Sequence, residues 1–293
     1  MAITQQVTKP LVSAALTQVK HLPPLSPTAS RLLEATADPE IEIDDLAGII
    51  FQDPALSARI LGVANSAYFG QSQPINSVRE AIIKVLGLNL VKSLAVSIAL
   101  AGAFDPRACR GFDLAGYWYS SLATASLSRL LAMQHSGTHR PDADSSYLCG
   151  LLHNLGHLLL AHVFPQQLST AIAECKQSPD QGLRALERRH LGIDQLQAGE
   201  WLARRWHLPE AVADVIGNLD DAEYQGPHAL QRDIVSGACV WIGAVAGNDG
   251  QEMTEDARLQ SLQGIGSESL LRVEQQFRSQ CESLRSTARV LIA

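Results

Sequence analysis

Between Tyr147 and Phe164 the chain reads YLCGLLHNLGHLLLAHVF, an apolar run carrying three histidines and an asparagine. On one continuous helix His153 and His157 share a face, and His162 lies roughly on it too. Imidazoles at such spacing serve metal sites, where carboxylates or further imidazoles complete the ligand set. HNLGH has asparagine where the H-E-x-x-H zinc-protease pattern has glutamate, so a metal here needs Asp or Glu from elsewhere. The competing reading is histidines hydrogen-bonded within or beside a core. His135 and His139 repeat the spacing, but the intervening Ser-Gly-Thr predicts a loop.

Other chemistry is thinner. Ser120 and Ser121 lack both a G-x-S-x-G elbow and a partnered acid, and neither a P-loop nor a dinucleotide fingerprint occurs. Arg184, Arg188 and Arg189, with Arg204 and Arg205 nearby in sequence, are candidates to gather an anion or an acidic partner surface. Glu187 and Glu200 are interleaved with them, so a solvated helix face is the alternative.

These residues need a scaffold, and the composition indicates a helical one. The chain has 293 residues, 46% hydrophobic and 18% charged, enough for a sizeable core. Its apolar residues are mostly Leu, Ala, Ile and Val, with only 5% aromatics, which favours packed helices. The formal charge of −7 argues against whole-surface attraction to nucleic acid or anionic lipid. Five scattered cysteines without a C-x-x-C pair suggest neither a disulfide framework nor a thiolate zinc site, consistent with a cytoplasmic location. The amino terminus lacks signal-peptide character, and no apolar run is long and uninterrupted enough to span a membrane.

Helix starts recur along the chain. Ser26-Pro27 and Asp53-Pro54 each place a cap before a first-turn proline. Ser77 and Glu80 have capping-box spacing, and Gly87 can close that helix. Asp194 caps another start, and Pro209 begins the next helix. The pattern predicts an all-α fold of two lobes, roughly Met1–Asp105 and Pro106–Ala293. On the last helix, Leu270, Val273, Phe277, Cys281, Leu284, Ala288 and Leu291 form one apolar stripe. It packs on the second lobe or, alternatively, forms a homodimer seam through Leu270, Phe277 and Leu284.

One stretch is more specific. LPPLSPTASRLLEATADPEIEIDDLAGIIFQDPALSARILGVANSAYFG, followed by INSVREAIIKVLGLNLVKSLAV, resembles the opening of an HDOD domain. The resemblance continues through Trp118, GLLHNLGHLLL and GEWLARRWHLPEAV. It implies a leader over 1–21, an HDOD domain over 22–219 and a helical extension over 220–293 packed on the second lobe. Within the HDOD domain, 22–105 forms the first lobe and 113–219 an HD-like second lobe. Asn65, Ser66, Tyr68 and Phe69 belong to the family motif, with Asn65 expected to cap or bridge helices.

HDOD domains are relatives of the HD phosphohydrolases, whose histidines and central His-Asp pair hold metals that activate water against a phosphoester. The resemblance implies that only His153 keeps its ligand here. Asn154 replaces the aspartate, and the other positions fall near Ser120, Gln195, Asn218 and Leu219. An amide offers only a neutral oxygen where a carboxylate offsets cation charge. The implied reading is a non-catalytic bacterial signalling module without a cofactor, with output supplied by separate proteins. The arginine faces or the groove between the lobes are its candidate contacts. The alternatives are an HD-type phosphohydrolase with unconventional ligands and a nucleic-acid-binding regulator.

Overall fold

The computed structural model describes residues 22–137, 139–247 and 264–292, so the expected 1–21 leader lies outside the described residues. The first lobe comprises α1 (Pro27–Ala37), α2 (Ile43–Phe51), α3 (Pro54–Ala64), α4 (Val78–Ala81, continuing as a π-helix over Ile82–Leu86) and α5 (Leu88–Ala101). Ser26 Oγ accepts the Ala29 N–H, and Asp53 Oδ1 accepts the Leu56 N–H, so both expected caps form. Ser77 Oγ likewise accepts the Glu80 N–H, but the Glu80 carboxylate turns to the Asn76 N–H, leaving the box incomplete. Gly87, at φ 78°, supplies the positive-φ corner between the π-helix and α5. Within α5 every residue from Leu90 to Ile98 is buried, including Lys92, whose Nζ donates to the Asp38 carbonyl at 2.9 Å.

The second group comprises α6 (Leu114–Gln134), α7 (Ala143–Leu152), α8 (Leu155–Val163), α9 (Pro165–Gln177), α10 (Leu183–Leu191), α11 (Gln195–Arg205) and α12 (Glu210–Gly217). The chain then continues with α13 (Ala229–Gly247) and α14 (Ser267–Val290). Asp194 makes a full capping box with Gln197 at the start of α11. The long helix α6 is the hub, flanked by α7, α13 and α14, while α5 packs on α7. One continuous hydrophobic cluster runs through both groups. Among the described residues no strand is present, and no single helix is long and apolar enough to cross a membrane.

Two expectations are corrected. The Tyr147–Phe164 run is not one helix, because α7 ends at Leu152 and α8 starts at Leu155 after a corner at His153 and Asn154. The proposed dimer seam is internal: Leu270, Phe277 and Leu284 are buried within the chain, at 3%, 2% and 2% exposure. The extension also reaches the first lobe, where Val290 of α14 sits over Gly62 of α3.

Candidate functional site

The corner between α7 and α8 is set by two close helix crossings. A Cβ at Gly150 would lie 2.8 Å from Ala125 Cα, and one at Gly156 would overlap the Gln195 carbonyl and the Gly199 backbone. Between these crossings the Asn154 amide is engaged at both ends. Its Oδ1 accepts from Ser121 Oγ at 3.0 Å, and its Nδ2 donates to the Tyr117 carbonyl at 3.2 Å. The residue that meets Asn154 is therefore Ser121, which is fully buried; the adjacent Ser120, near which the resemblance places the upstream histidine position, is half-buried. Successive helix residues point about 100° apart, so a one-residue offset changes which side chain faces the corner.

His153 is 8% exposed, and its Nδ1 lies 2.7 Å from the Gly150 carbonyl, to which an Nδ1–H would donate. Burial pushes its pKa down to about 4, so the ring is neutral at neutral pH. Gln195 meets the region through its backbone, whose N–H donates to Glu187 Oε2 at 2.9 Å. Asn218 Nδ2 donates to the Asp214 carbonyl at 2.8 Å, and Leu219 is buried.

These donors do not fit the metal that HD phosphohydrolases carry. The Asn154 oxygen already accepts a hydroxyl, His153 keeps one ring nitrogen, and Gln195 offers a backbone contact. Among the described residues no group of three His, Cys, Asp or Glu side chains gathers into a ligand set.

The other histidines diverge. His157 stands edge-on to Phe112 at 5.0 Å, and its Nε2 lies 3.8 Å from Glu187 Oε1. Glu187 was expected on a solvated face, yet it is completely buried, and burial pushes its carboxyl up to about 7. The clue was present: Leu183, Leu186, Glu187, His190 and Leu191 follow the apolar spacing of α10, with Glu187 inside the stripe. His162 Nδ1 accepts the Asp105 N–H at 3.2 Å, and His135 Nδ1 accepts the Gly137 N–H at 3.2 Å.

The arginines are distributed over separate carboxylates. Arg184 pairs with Asp220, Arg188 with the capping carboxylate Asp194, and Arg189 with Glu174. Arg204 reaches Glu200 and Asp214, both at 3.0 Å. Arg205 is exposed and has no acidic partner among the described residues.

Asn65 acts as a clamp: its Nδ2 donates to the Leu61 and Ile75 carbonyls at 2.9 Å, and its Oδ1 accepts the Ile75 N–H at 2.7 Å. Tyr68 stands edge-on to Phe69, and its hydroxyl meets Ser126 Oγ of α6 at 2.6 Å, tying the first lobe to the second. Ser66 Oγ is buried without a partner among the described residues. A cleft of about 350 Å³ opens between the lobes, with Arg59, Phe104 and Trp118 on its wall.

Residues 22–222 match the HDOD domain family model. An uncharacterised protein from Treponema pallidum (strain Nichols) is 27% identical over 287 residues, covering 97% of this chain and 53% of the relative. The chain thus spans about half the length of that curated relative. A structure from Marinobacter aquaeolei VT8, of a protein proposed to act in signal transduction, is similar at a TM-score of 0.82 and 26% identity. The match covers 98% of this chain and 68% of that one. A protein from Shewanella amazonensis SB2B, proposed to be a phosphohydrolase, superposes at a TM-score of 0.75 over 95% of this chain and 98% of its own. At 23% identity what is shared is the fold.

Proposed function

This chain belongs to the HDOD domain family, and from that premise we propose that it is a non-catalytic module of bacterial signal transduction, working through contacts with other signalling proteins. The observation that carries the reading is the Asn154 amide. Where catalytic HD relatives place an aspartate, this residue donates to the Tyr117 carbonyl, which an ionised carboxylate cannot do. The residue is built into the packing of α6 against the corner, and its neighbours supply hydroxyl, amide and backbone groups. Water outcompetes such neutral donors for catalytic divalent ions.

The test is hydrolysis of bis-p-nitrophenyl phosphate and cyclic dinucleotides by purified protein supplied in turn with Mg²⁺, Mn²⁺, Fe²⁺ and Zn²⁺, alongside metal analysis. Turnover at the background rate and sub-stoichiometric metal are expected. Turnover at ordinary enzyme rates, lost in His153→Ala, would replace this reading with the phosphohydrolase one. For partner capture, Arg205→Glu is a cleaner surface control than reversal of Arg188 or Arg189, whose ion pairs hold α10 to its neighbours.

A further inference from the structure

Two clefts meet at one arginine. The interlobe cleft of about 350 Å³ and a second of about 550 Å³, bounded by the starts of α1 and α3 and the end of α5, share Arg59 and Gly102. Both volumes fall in the roughly 300–1,000 Å³ range of small-molecule sites. Gly102 follows α5, and a Cβ there would meet only the Ile98 and Ala99 carbonyls, at 3.4 and 3.5 Å. Without a side chain at this position, the junction stays open beside Arg59.

The charges around the junction leave one cation unmatched. Besides Arg59, the two linings hold Asp53, Asp105 and Arg107. Arg107 binds Asp105 through Nε and Nη2, at 2.8 and 2.6 Å. Asp53 caps α3, accepting the Leu56 N–H at 3.0 Å, where the helix dipole offsets its charge. Arg59 is half-buried on α3 and has no hydrogen-bond or ionic partner among the described residues. A guanidinium in a partly desolvated cleft gains most from a planar anion that takes both arms of its fork. Asp53 and Asp105 oppose a second negative charge beside it. The adjoining walls are apolar and fixed. Phe104 stacks on Trp206 at 5.4 Å, and Trp118 and Leu158 are buried at 3% and 1% exposure.

We propose that this junction binds a small organic monocarboxylate, with the carboxylate on Arg59 and a ring-sized apolar body against Phe104 and Trp118 between the lobes. Its walls come from α3 of the first lobe and from α6 and α8 of the second. A ligand that fits one arrangement of the lobes better than others shifts the population toward it. The site thus gives the signalling role proposed above a chemical input, and as an input it rests on that role.

The probe is 3-phenylpropanoate, followed by ligand-observed NMR titration against the full chain in low salt. The neutral 3-phenylpropanamide and the more highly charged 2-phenylethyl phosphate are the comparisons. Saturable binding of the carboxylate is expected, with the amide and the phosphate each at least tenfold weaker. Arg59→Gln should bring carboxylate and amide to equal affinity while leaving the amide unchanged. Gly102→Leu keeps the charge and should weaken both at least tenfold by filling the junction. Unchanged thermal unfolding midpoints verify folding, and Arg59→Gln, which breaks no bond, decides alone if Gly102→Leu unfolds. Absence of saturable carboxylate binding at millimolar concentration overturns the proposal. So does equal binding of carboxylate and amide to wild type, or a preference that survives in Arg59→Gln. Tighter binding of the phosphate than of the carboxylate overturns it as well, because the junction would then select phosphoesters. None of the probes is a phosphodiester, so their failure leaves the non-catalytic reading in place, which metal-dependent turnover alone removes.

Discussion

His157 Nε2 and Glu187 Oε1 face each other at 3.8 Å, one from α8 and one from α10, and neither atom has a hydrogen-bond partner among the described residues. Burial lowers the His157 pKa to about 4 and raises that of Glu187 to about 7, the latter helped by nearby Asp194 and opposed by the Gln195 N–H, Arg184 and Arg188. Between pH about 4.5 and 6.5 the folded pair holds one proton, on the carboxyl. The unfolded pair also holds one, on the imidazole. The pair therefore adds almost no pH dependence to stability in that window.

Single substitutions should expose the two opposing contributions. In Glu187→Gln the remaining His157 is neutral when folded and charged when unfolded, so stability relative to wild type falls as pH drops from 6.5 to 4. In His157→Gln the remaining Glu187 is neutral when folded and charged when unfolded, so relative stability falls as pH rises from 4.5 to 7. Each slope is at most about 1.4 kcal/mol per pH unit. Urea unfolding at half-unit steps reads the difference, and slopes of the same sign would sink the assignment.

Asn154→Asp should lower stability by about 1–3 kcal/mol at neutral pH, because the carboxylate loses the donation to Tyr117 O and is buried without a cation. Metal content and phosphodiester turnover should stay at the wild-type level. Denaturant midpoints with elemental analysis check both parts, and one equivalent of metal in the variant would contradict the ligand-fit argument.

Two glycines should respond with opposite signs. Gly156→Ala places a methyl against the Gln195 carbonyl and Gly199 backbone, atoms that move only with α11, so a loss of at least about 2 kcal/mol is expected. Gly48→Ala meets open space within a helix and should gain about 0.5–1 kcal/mol. Thermal unfolding of the two variants side by side is sufficient.

Phe277→Ala should cost about 3–5 kcal/mol, because the ring, carried by α14, is buried within the chain where that helix packs on α6. Sedimentation velocity should give wild type and variant the same mass at equal concentration. Dissociation of a wild-type dimer by this substitution would restore the seam reading.

Much of the fold was legible in the amino-acid sequence because its signals are local. The cap residues Ser26, Asp53 and Asp194 act on N–H groups two or three positions away, and the stripe from Leu270 to Leu291 follows one helical period. The motif order also identified the family, and Asn65 bridges helix end and loop as expected, although its side chain is exposed rather than buried. The tertiary structure decided the rest. It broke the histidine run at Asn154, since that amide is satisfied by Ser121 and Tyr117, more than 30 positions earlier. It placed Ser121 against Asn154, and drew Glu187 out of water to face His157. It also gave four of the five clustered arginines to separate carboxylates. Which faces meet depends on how helices cross, and each residue step rotates a side chain by about 100°; local spacing sets the stripe, and only the crossing chooses its neighbour.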